Sequence, residues 1–261
     1  MSSRLHILKN YLNHWFKAKG RHSIHSPFLF SLYENCISNI TKYPFENSIE
    51  QIRTNLLSNN NLIAVNDLGA GSKIDNSQKR KISQIAKYSL KSQREAIFLA
   101  CFSKHISAQN IIELGTSFGT TTLYIAKHNQ KAQIHTIEGS PEIAKIASSN
   151  FQQLNFENIQ LHIGNFDDTL PKLLNEITAD IIYIDGNHTK EATLRYFEMA
   201  LEKINPKGFM VFDDIYWSKG MTKAWKSIIK HPRVSISIDF FHLGIISIDQ
   251  DFTKQDFRLR M

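Results

Sequence analysis

The sequence predicts an α/β fold in which a mostly parallel sheet carries helices on both faces. Short apolar runs alternate with helix-compatible segments from residue 110 onward, and this alternation is typical of a parallel sheet. The first run, residues 110–114, is followed by a glycine-rich turn at 115–119 and then by a helix start. A strand, a tight glycine turn and a helix in this order open a doubly wound domain, where ligands bind beyond the carboxyl ends of the strands.

Seven strands and five helices are predicted from residue 110 to the end of the sheet. The last two strands are separated by too few residues for a helix, so we expect the seventh to run antiparallel. The predicted strands are 110–114, 133–138, 159–163, 179–185, 207–213, 233–240 and 243–249. The predicted helices are 118–129, 141–154, 168–177, 189–204 and 219–230.

Residues 1–91 are predicted to form a helical extension, and residues 92–261 the main domain. Apolar residues recur at helical spacing through 3–19 with lysines between them, which predicts an amphipathic helix. This helix has three candidate partners: the main domain, the second chain of a homodimer, or a membrane surface as a peripheral anchor. Further helices are predicted at 27–38, 45–57, 80–90 and 92–104.

A second glycine-rich stretch, residues 67–72, imitates the turn at 110–119. Its sequence is Asp-Leu-Gly-Ala-Gly-Ser, and polar and basic residues follow it instead of an apolar helix. We therefore predict a loop that lies over the mouth of the ligand site. The alternative, that residues 67–72 form the true ligand turn, stays open.

Composition limits the partners and the compartment. A hydrophobic share of 42% is enough for a full core, and the net charge of +7 comes from scattered lysines and arginines. Scattered charge favours a role in solubility, so we do not expect a nucleic-acid partner. Cys36 and Cys101 lack the spacing of a zinc or redox motif, which predicts buried thiols in a reducing compartment. No segment is apolar and long enough to span a bilayer, and we predict a cytoplasmic protein.

The turn at 115–119 favours S-adenosylmethionine over a dinucleotide. Its two glycines, Gly115 and Gly119, have the spacing Gly-x-x-x-Gly, whereas dinucleotide sites use Gly-x-Gly-x-x-Gly. Glu113 lies next to the turn, where a carboxylate would repel a pyrophosphate. S-adenosylmethionine has no phosphate and carries an ammonium and a sulfonium, so its charge suits an acid there.

Two later strand ends extend this predicted ligand site. Glu138 ends the second strand and is placed to accept hydrogen bonds from both ribose hydroxyls of an adenosine; alternatively it stabilises the helix that begins at Pro141. Asn165 and Phe166 follow the third strand, where an amide oxygen meets the adenine amino group and a ring stacks on the base. The alternative is that Asp167 and Asp168 cap the next helix. The predicted S-adenosylmethionine-binding residues are Glu113, Gly115, Thr116, Ser117, Gly119, Glu138, Gly139, Asn165, Phe166 and Asp185.

The fourth and fifth strands end in acids that predict a metal site. Asp185 ends one strand, His188 follows three residues later, and Asp213 and Asp214 end the next strand. Three carboxylates repel one another unless they share a cation, and oxygen ligands suit Mg²⁺ or Ca²⁺. We expect the cation to lower the pKa of a substrate hydroxyl, and we expect His188 to take the proton of that hydroxyl. Asp185 and His188 are the predicted catalytic residues. Alternatively, the aspartates cap the following turn and His188 makes only local hydrogen bonds. Trp217 is predicted to line the acceptor pocket.

These motifs resemble a known family. Residues 92–249 are similar to class I S-adenosylmethionine-dependent methyltransferases, because the turn 113–119, Glu138 and Gly164-Asn165 match that family's cofactor motifs. Asp185-Gly-Asn-His188 and Asp213-Asp214 are similar to the metal-dependent small-molecule O-methyltransferases of the catechol and macrolide-sugar types. The catechol type has Asn at the place of Asp214, and the macrolide type has Glu at that of Asp213. The family's more usual residue at the place of Asn165 is Asp.

The resemblance and the residues together predict a fold and a reaction. We expect a seven-stranded Rossmann-like sheet in the order 3-2-1-4-5-7-6. The predicted activity is methyl transfer from S-adenosylmethionine to a hydroxyl of a small-molecule acceptor, assisted by Mg²⁺. Two alternatives stay open: a methyltransferase that acts on RNA or protein, and a non-catalytic module that binds S-adenosylmethionine. A nicotinamide oxidoreductase is disfavoured because Glu113 lies where its phosphates would bind.

Overall fold

A computed structural model of the protein describes residues 2–21, 24–38, 40–43, 46–65 and 79–260. The predicted loop at 67–72 lies outside these residues. The chain divides into two compact units: Met1–Phe30 with Pro171–Met261, and Ser31–Leu170. This division by compactness differs from the predicted boundary between residues 91 and 92, which stays a prediction.

The helices of the described residues follow the predicted pattern closely. Residues Tyr33–Ser38 continue the helix Pro27–Leu32 as a π-helix, and Ile40–Lys42 form a short 3₁₀ turn. The α-helices are α1 (Ser2–Lys17), α2 (Pro27–Leu32), α3 (Asn47–Ser58), α4 (Ile82–Ser89), α5 (Gln93–His105), α6 (Thr120–His128), α7 (Pro141–Gln153), α8 (Phe166–Glu176), α9 (Lys190–Leu201) and α10 (Lys219–Ile228).

The strands confirm the α/β Rossmann-like fold and correct the strand count. Two short strands, β1 (Leu62–Ala64) and β2 (Lys79–Lys81), pair antiparallel in a small separate sheet. The main sheet consists of β3 (Asn110–Leu114), β4 (Gln133–Glu138), β5 (Ile159–Ile163), β6 (Ile181–Ile184), β7 (Phe209–Asp213), β8 (Ile236–Asp239), β9 (Leu243–Ser247) and β10 (Gln255–Arg258).

Within the described residues this main sheet has eight strands, one more than predicted. Its order is β10-β8-β9-β7-β6-β3-β4-β5, which is the predicted order with β10 added beside β8. β9 runs antiparallel to both β7 and β8, as predicted for the seventh strand. The added strand pairs parallel with β8, and its exposed Gln255 and Asp256 gave no apolar signal in the sequence.

In the unit Ser31–Leu170, a buried strand and a glycine position the turn that carries the predicted ligand residues. Residues 111–114 of β3 are all buried, because apolar side chains on both faces suit a parallel strand covered by helices. Gly119 begins α6 with a φ of 80°, and a Cβ there would lie 2.4 Å from a ring carbon of Phe151. Only glycine fits this position, because both the backbone angle and the packing exclude a side chain.

The two cysteines lie in the core of the same unit. Cys36 and Cys101 are buried and free, as predicted.

No helix of the described part of the chain is long and apolar enough to cross a membrane. The predicted compartment stays a prediction.

In the other unit, polar contacts hold α1 in place. His6 lies 2.9 Å from the hydroxyl of Thr222 in α10. The buried His14 contacts Asp239 at the end of β8 twice: its Nε2 lies 2.9 Å from the backbone oxygen and 3.3 Å from Oδ1. Tyr216 donates a hydrogen bond of 2.6 Å to the other carboxylate oxygen of Asp239. The histidines of α1 therefore face the protein.

We expect the stability of this unit to depend on the charge of His14. Burial lowers the pKa of His14, but hydrogen bonds to Asp239 and the charge of its carboxylate outweigh burial, so the pKa lies above the ordinary 6.5. Because the folded-state pKa of His14 is above the unfolded value, protonation of His14 stabilises the fold. This contribution is present in full below about pH 6.5 and is lost as pH rises through the folded-state pKa. Thermal unfolding of the protein and of His14→Gln from about pH 5.5 to about pH 8.5 tests this.

The wild-type Tm should exceed that of His14→Gln by about 2–4 °C at the acid end, the shift expected for ~1 kcal/mol in a chain of this size. The difference should shrink as pH rises, because neutral histidine loses its attraction to Asp239. A difference that stays constant over the whole range would show that His14 contributes through packing alone.

Candidate functional site

The turn after β3 has an unusual backbone with three positive φ angles. Gly115, Ser117 and Gly119 all have positive φ, at 107°, 49° and 80°. The amides of Gly115 and Thr116 both donate to the backbone oxygen of Ile137 in β4, at 3.0 and 3.2 Å. A non-glycine residue such as Ser117 adopts positive φ at a cost, and such strain is concentrated at functional sites.

Glu113 is buried beneath this turn and holds a chain of hydroxyl groups. Its side chain is only 1% exposed, and its Oε2 accepts hydrogen bonds of 2.6 Å from both Thr122 and Thr136. The hydroxyl of Thr116 lies 2.6 Å from that of Thr136, so the acid is linked to the turn itself. Glu113 therefore fixes the shape of the turn. Its contact with a ligand stays a prediction.

Glu138 joins the turn to the end of β4. One carboxylate oxygen accepts the amide of Ser117 and the other accepts the amide of Ser140, each at 2.9 Å. The side chain is half-buried, and a carboxylate has about four lone-pair positions in all. This arrangement is compatible with the predicted bonds to ribose hydroxyls.

Ser140 is a site residue that the sequence did not indicate. Its side chain is buried, and its hydroxyl has no hydrogen-bond partner among the described residues. It occupies the position before α7 without capping that helix through its side chain. A buried hydroxyl without a partner is costly, so Ser140 is available to a ligand that binds beside Glu138. The only sequence signal was a serine immediately before Pro141.

Asn165 has a structural role that the sequence assigned to its neighbours. Its amide oxygen accepts the amide of Asp167 at 3.1 Å, and its backbone oxygen accepts the amide of Thr169 at 2.9 Å. Asn165 therefore caps α8, a role that the alternative interpretation of the sequence gave to Asp167 and Asp168. Phe166 and Gly139 are half-buried. The contacts of these residues with an adenine stay predictions.

In the other unit, the ends of β6 and β7 bring three predicted residues together. Asp185, His188 and Asp213 each offer one ligand atom, and these atoms all lie within 4.8 Å of one another. His188 Nε2 lies 3.7 Å from Asp185 Oδ1. The other oxygen of Asp185 accepts a hydrogen bond of 2.8 Å from the hydroxyl of Tyr183, a buried residue that the sequence analysis did not single out.

The loop that carries His188 is held in a defined conformation. Asn187 has a φ of 51°, and its backbone oxygen accepts the amide of Thr189 at 2.6 Å. Thr189 caps α9 through a hydrogen bond from Ala192. The histidine therefore lies on a fixed turn between a strand end and a helix start.

Asp214 and Trp217 lie outside the group that contains Asp213. Asp214 has a φ of 52°, and it is not part of the described group of ligand atoms. Trp217 donates its amide to the backbone oxygen of Asp214 at 2.9 Å, and its side chain is 57% exposed. The structure thus groups His188, and not Asp214, with Asp185 and Asp213. The roles predicted for Asp214 and Trp217 stay predictions.

A basic cleft of about 420 Å³ adjoins His188. It lies between the first turns of α9 and α10. Lys190, Lys219 and Lys223 contribute three positive charges to it, against the single acid Glu191. The residues that line it are His188, Thr189, Lys190, Glu191, Ser218, Lys219, Gly220 and Lys223.

The donor set fits a divalent cation in one of two ways. Two carboxylates and an imidazole suit a transition metal such as Mn²⁺ when all three bind it. Mg²⁺ prefers oxygen ligands and retains several waters, so it fits Asp185 and Asp213 with His188 outside the coordination shell. His188 is free to accept a proton only in the second arrangement.

The fold and a family model point to the same class. The Rossmann-like sheet with an acid-flanked glycine turn is the architecture that the resemblance to class I methyltransferases implied. Residues 112–215, less than half of the chain, match a family model described as a methyltransferase domain. This match, with the relatives and solved structures described next, confirms the predicted resemblance to class I S-adenosylmethionine-dependent O-methyltransferases.

Curated relatives are similar over about half of this chain. A catechol O-methyltransferase of Niastella koreensis is 30% identical over 128 residues, which are 48% of this chain and 57% of the relative. A catechol O-methyltransferase of Mycobacterium tuberculosis is 26% identical over 132 residues, which are 50% of this chain and 59% of that protein. The chain thus spans less than two thirds of the length of the curated relatives it matches.

Solved structures share the fold. The O-methyltransferase from Bacillus cereus, in complex with SAH, aligns with a TM-score of 0.59 at 20% identity. The alignment covers 84% of this chain and 99% of that one. Similarity at this level of identity supports the architecture and leaves the chemistry to the site residues.

Proposed function

We propose that the protein transfers a methyl group from S-adenosylmethionine to a hydroxyl oxygen of a small molecule. The observation that carries the proposal is the group formed by Asp185, His188 and Asp213. It occurs in a chain whose residues 112–215 match a methyltransferase domain. The named O-methyltransferase relatives support transfer to oxygen.

The methyl donor is assigned to the turn after β3 and the end of β4. The carboxylate of Glu138 accepts the ribose hydroxyls, and the hydroxyl of Ser140 supplies one more polar contact. Gly115, with a φ of 107°, allows the backbone of the turn to approach the ligand closely. Acids in this unit favour a cationic donor over a phosphate-bearing nucleotide.

His188 accepts the proton of the acceptor hydroxyl. In the reaction the sulfur–methyl bond breaks, sulfur keeps the electron pair, and the new oxygen–methyl bond forms. The protein must align the two reactants and keep the acceptor oxygen deprotonated. Asp185 and Asp213 would hold a divalent cation such as Mg²⁺, which would lower the pKa of a bound hydroxyl.

The basic cleft favours an acceptor that also carries an acidic group. Lys190, Lys219 and Lys223 surround the space beside His188, and a carboxylate or phosphate on the acceptor would offset their mutual repulsion. A small hydroxy acid or a phosphorylated alcohol has the required chemistry.

Titration calorimetry and a methylation screen test the proposal. S-adenosylmethionine should bind and NAD should not, because Glu113 and Glu138 disfavour a pyrophosphate. With labelled S-adenosylmethionine and Mg²⁺, hydroxyl acceptors in matched pairs, with and without a carboxylate, should be methylated, and the acidic member of each pair should react faster. Parallel reactions contain RNA in place of the small-molecule acceptor.

Three results would contradict parts of the proposal. Binding of NAD in place of S-adenosylmethionine would overturn the assignment of the donor. Tight binding of S-adenosylmethionine with no transfer to any acceptor would indicate a non-catalytic binding module. Methylation of RNA, with binding that weakens steeply as salt rises, would move the acceptor from small molecules to nucleic acid.

A further inference from the structure

Helix α1 packs on its unit with its polar side inward. His6, Asn10 and His14 form the stripe that faces the protein: His6 contacts Thr222, Asn10 bonds back to the backbone oxygen of His6, and His14 contacts Asp239. A surface helix ordinarily places its apolar stripe against the core. The orientation of α1 is the reverse, and the contacts of His6 with Thr222 and of His14 with Asp239 fix it.

The outward side of α1 is consequently apolar. At 3.6 residues per turn its large side chains cover an arc of about 100°, and Leu5 and Phe16 are the most exposed, at 69% and 81%. Isolated exposed apolar residues are normal, but a contiguous stripe marks an interaction surface. The outward stripe consists of Leu5, Leu8, Leu12, Trp15 and Phe16.

Positive charge borders this stripe. Arg4 and Lys9 lie on its two edges at helical spacing, and both are exposed. Arg260 places its guanidinium 4.1 Å from the centre of the Trp15 ring. Residues 1–33 contain two arginines and three lysines and no aspartate or glutamate. A second copy of the same helix would bring like charges together, whereas an anionic surface would be attracted.

We propose that α1 binds the surface of an anionic membrane, with the outward stripe inserted among the lipid headgroups and the basic residues on the phosphates. The combination of a leucine-rich face, an interfacial tryptophan and flanking lysines is typical of helices that lie in the interface plane. The proposal is independent of the methyl-transfer reaction, since none of these residues belongs to the candidate site. It assigns the protein a peripheral attachment by which it would act at a membrane surface.

Vesicle flotation of the full-length protein tests this inference. The protein should float with vesicles of phosphatidylcholine and phosphatidylglycerol and only weakly with phosphatidylcholine alone. High salt should reduce the bound fraction by screening the charges. Leu8→Glu with Phe16→Glu should lower the bound fraction about tenfold or more, because two inserted side chains become charged.

Leu57→Glu is the matched control, since Leu57 is an exposed leucine of α3, outside the stripe, and it should bind vesicles like the unaltered protein. Circular dichroism checks that the variants are folded. Sedimentation velocity on the same preparations measures whether each protein is a monomer or a dimer. A protein that does not float with anionic vesicles, and whose dimer is converted to monomer by Leu8→Glu with Phe16→Glu, would overturn the proposal and show that a second copy covers the stripe. Equal binding by the double variant would also overturn it.

Discussion

Replacing His188 with alanine should lower kcat by about 10²–10⁴-fold, the usual contribution of a positioned general base. The side chain lies 3.7 Å from Asp185 on a fixed turn, and removal of the imidazole leaves that turn intact. Binding of S-adenosylmethionine should change by less than about twofold, because an interaction made only in the transition state leaves ground-state binding unaltered. Initial rates and titration calorimetry on the same preparations measure both quantities.

The same variant separates the two roles open to His188. If His188 is the base, His188→Ala should bind the divalent cation as the unaltered protein does, and extra cation should not restore turnover. A weaker affinity for the cation, with turnover recovered at high cation concentration, would instead make His188 a metal ligand. His242→Ala is the matched control, because His242 is an exposed histidine of the same compact unit. Unchanged turnover in His188→Ala would refute both roles.

The periodicity of the sequence was sufficient for the central architecture. Strands such as β3 and β7 are buried on both faces and therefore form continuous apolar runs, which cannot be mistaken for loops. The strand that the sequence did not predict, β10, lies at the edge of the sheet with exposed polar side chains. Edge strands carry polar residues that prevent further pairing, and their pattern does not differ from that of a loop.

The candidate site was predicted in part, for a related physical reason. Acids at strand ends are visible in the sequence because apolar runs precede them, so Glu138, Asp185 and Asp213 were singled out. The buried hydroxyl of Ser140 and the support that Tyr183 gives to Asp185 depend on contacts between side chains. The absence of Asp214 from the described group of ligand atoms likewise depends on the three-dimensional arrangement. Sequence spacing carries no information on either feature.

Replacing Asp213 with asparagine should reduce cation-dependent turnover by roughly 100-fold, since a bound cation contributes several kcal/mol. Asp213 is buried at the end of β7, and asparagine keeps its shape while removing the charge that attracts the cation. Initial rates against Mg²⁺ concentration, and calorimetric titration with Mg²⁺, should both show weaker binding. Asp180→Asn is the control, because Asp180 immediately precedes β6, at the opposite end of that strand from Asp185, and bonds to Asn205.

Asp214→Asn completes this series because it tests the residue on which sequence and structure differ. The sequence placed Asp214 among three carboxylate ligands, whereas the described ligand atoms group Asp213 with Asp185 and His188. If the grouped residues bind the cation, Asp213→Asn loses affinity for Mg²⁺ and Asp214→Asn retains it. Equal loss in both variants would restore the three-carboxylate site and require the loop at Asp214 to change conformation when the cation binds. Retention of full affinity in both variants would remove the metal from the mechanism and leave proton transfer to His188 as the remaining source of activation.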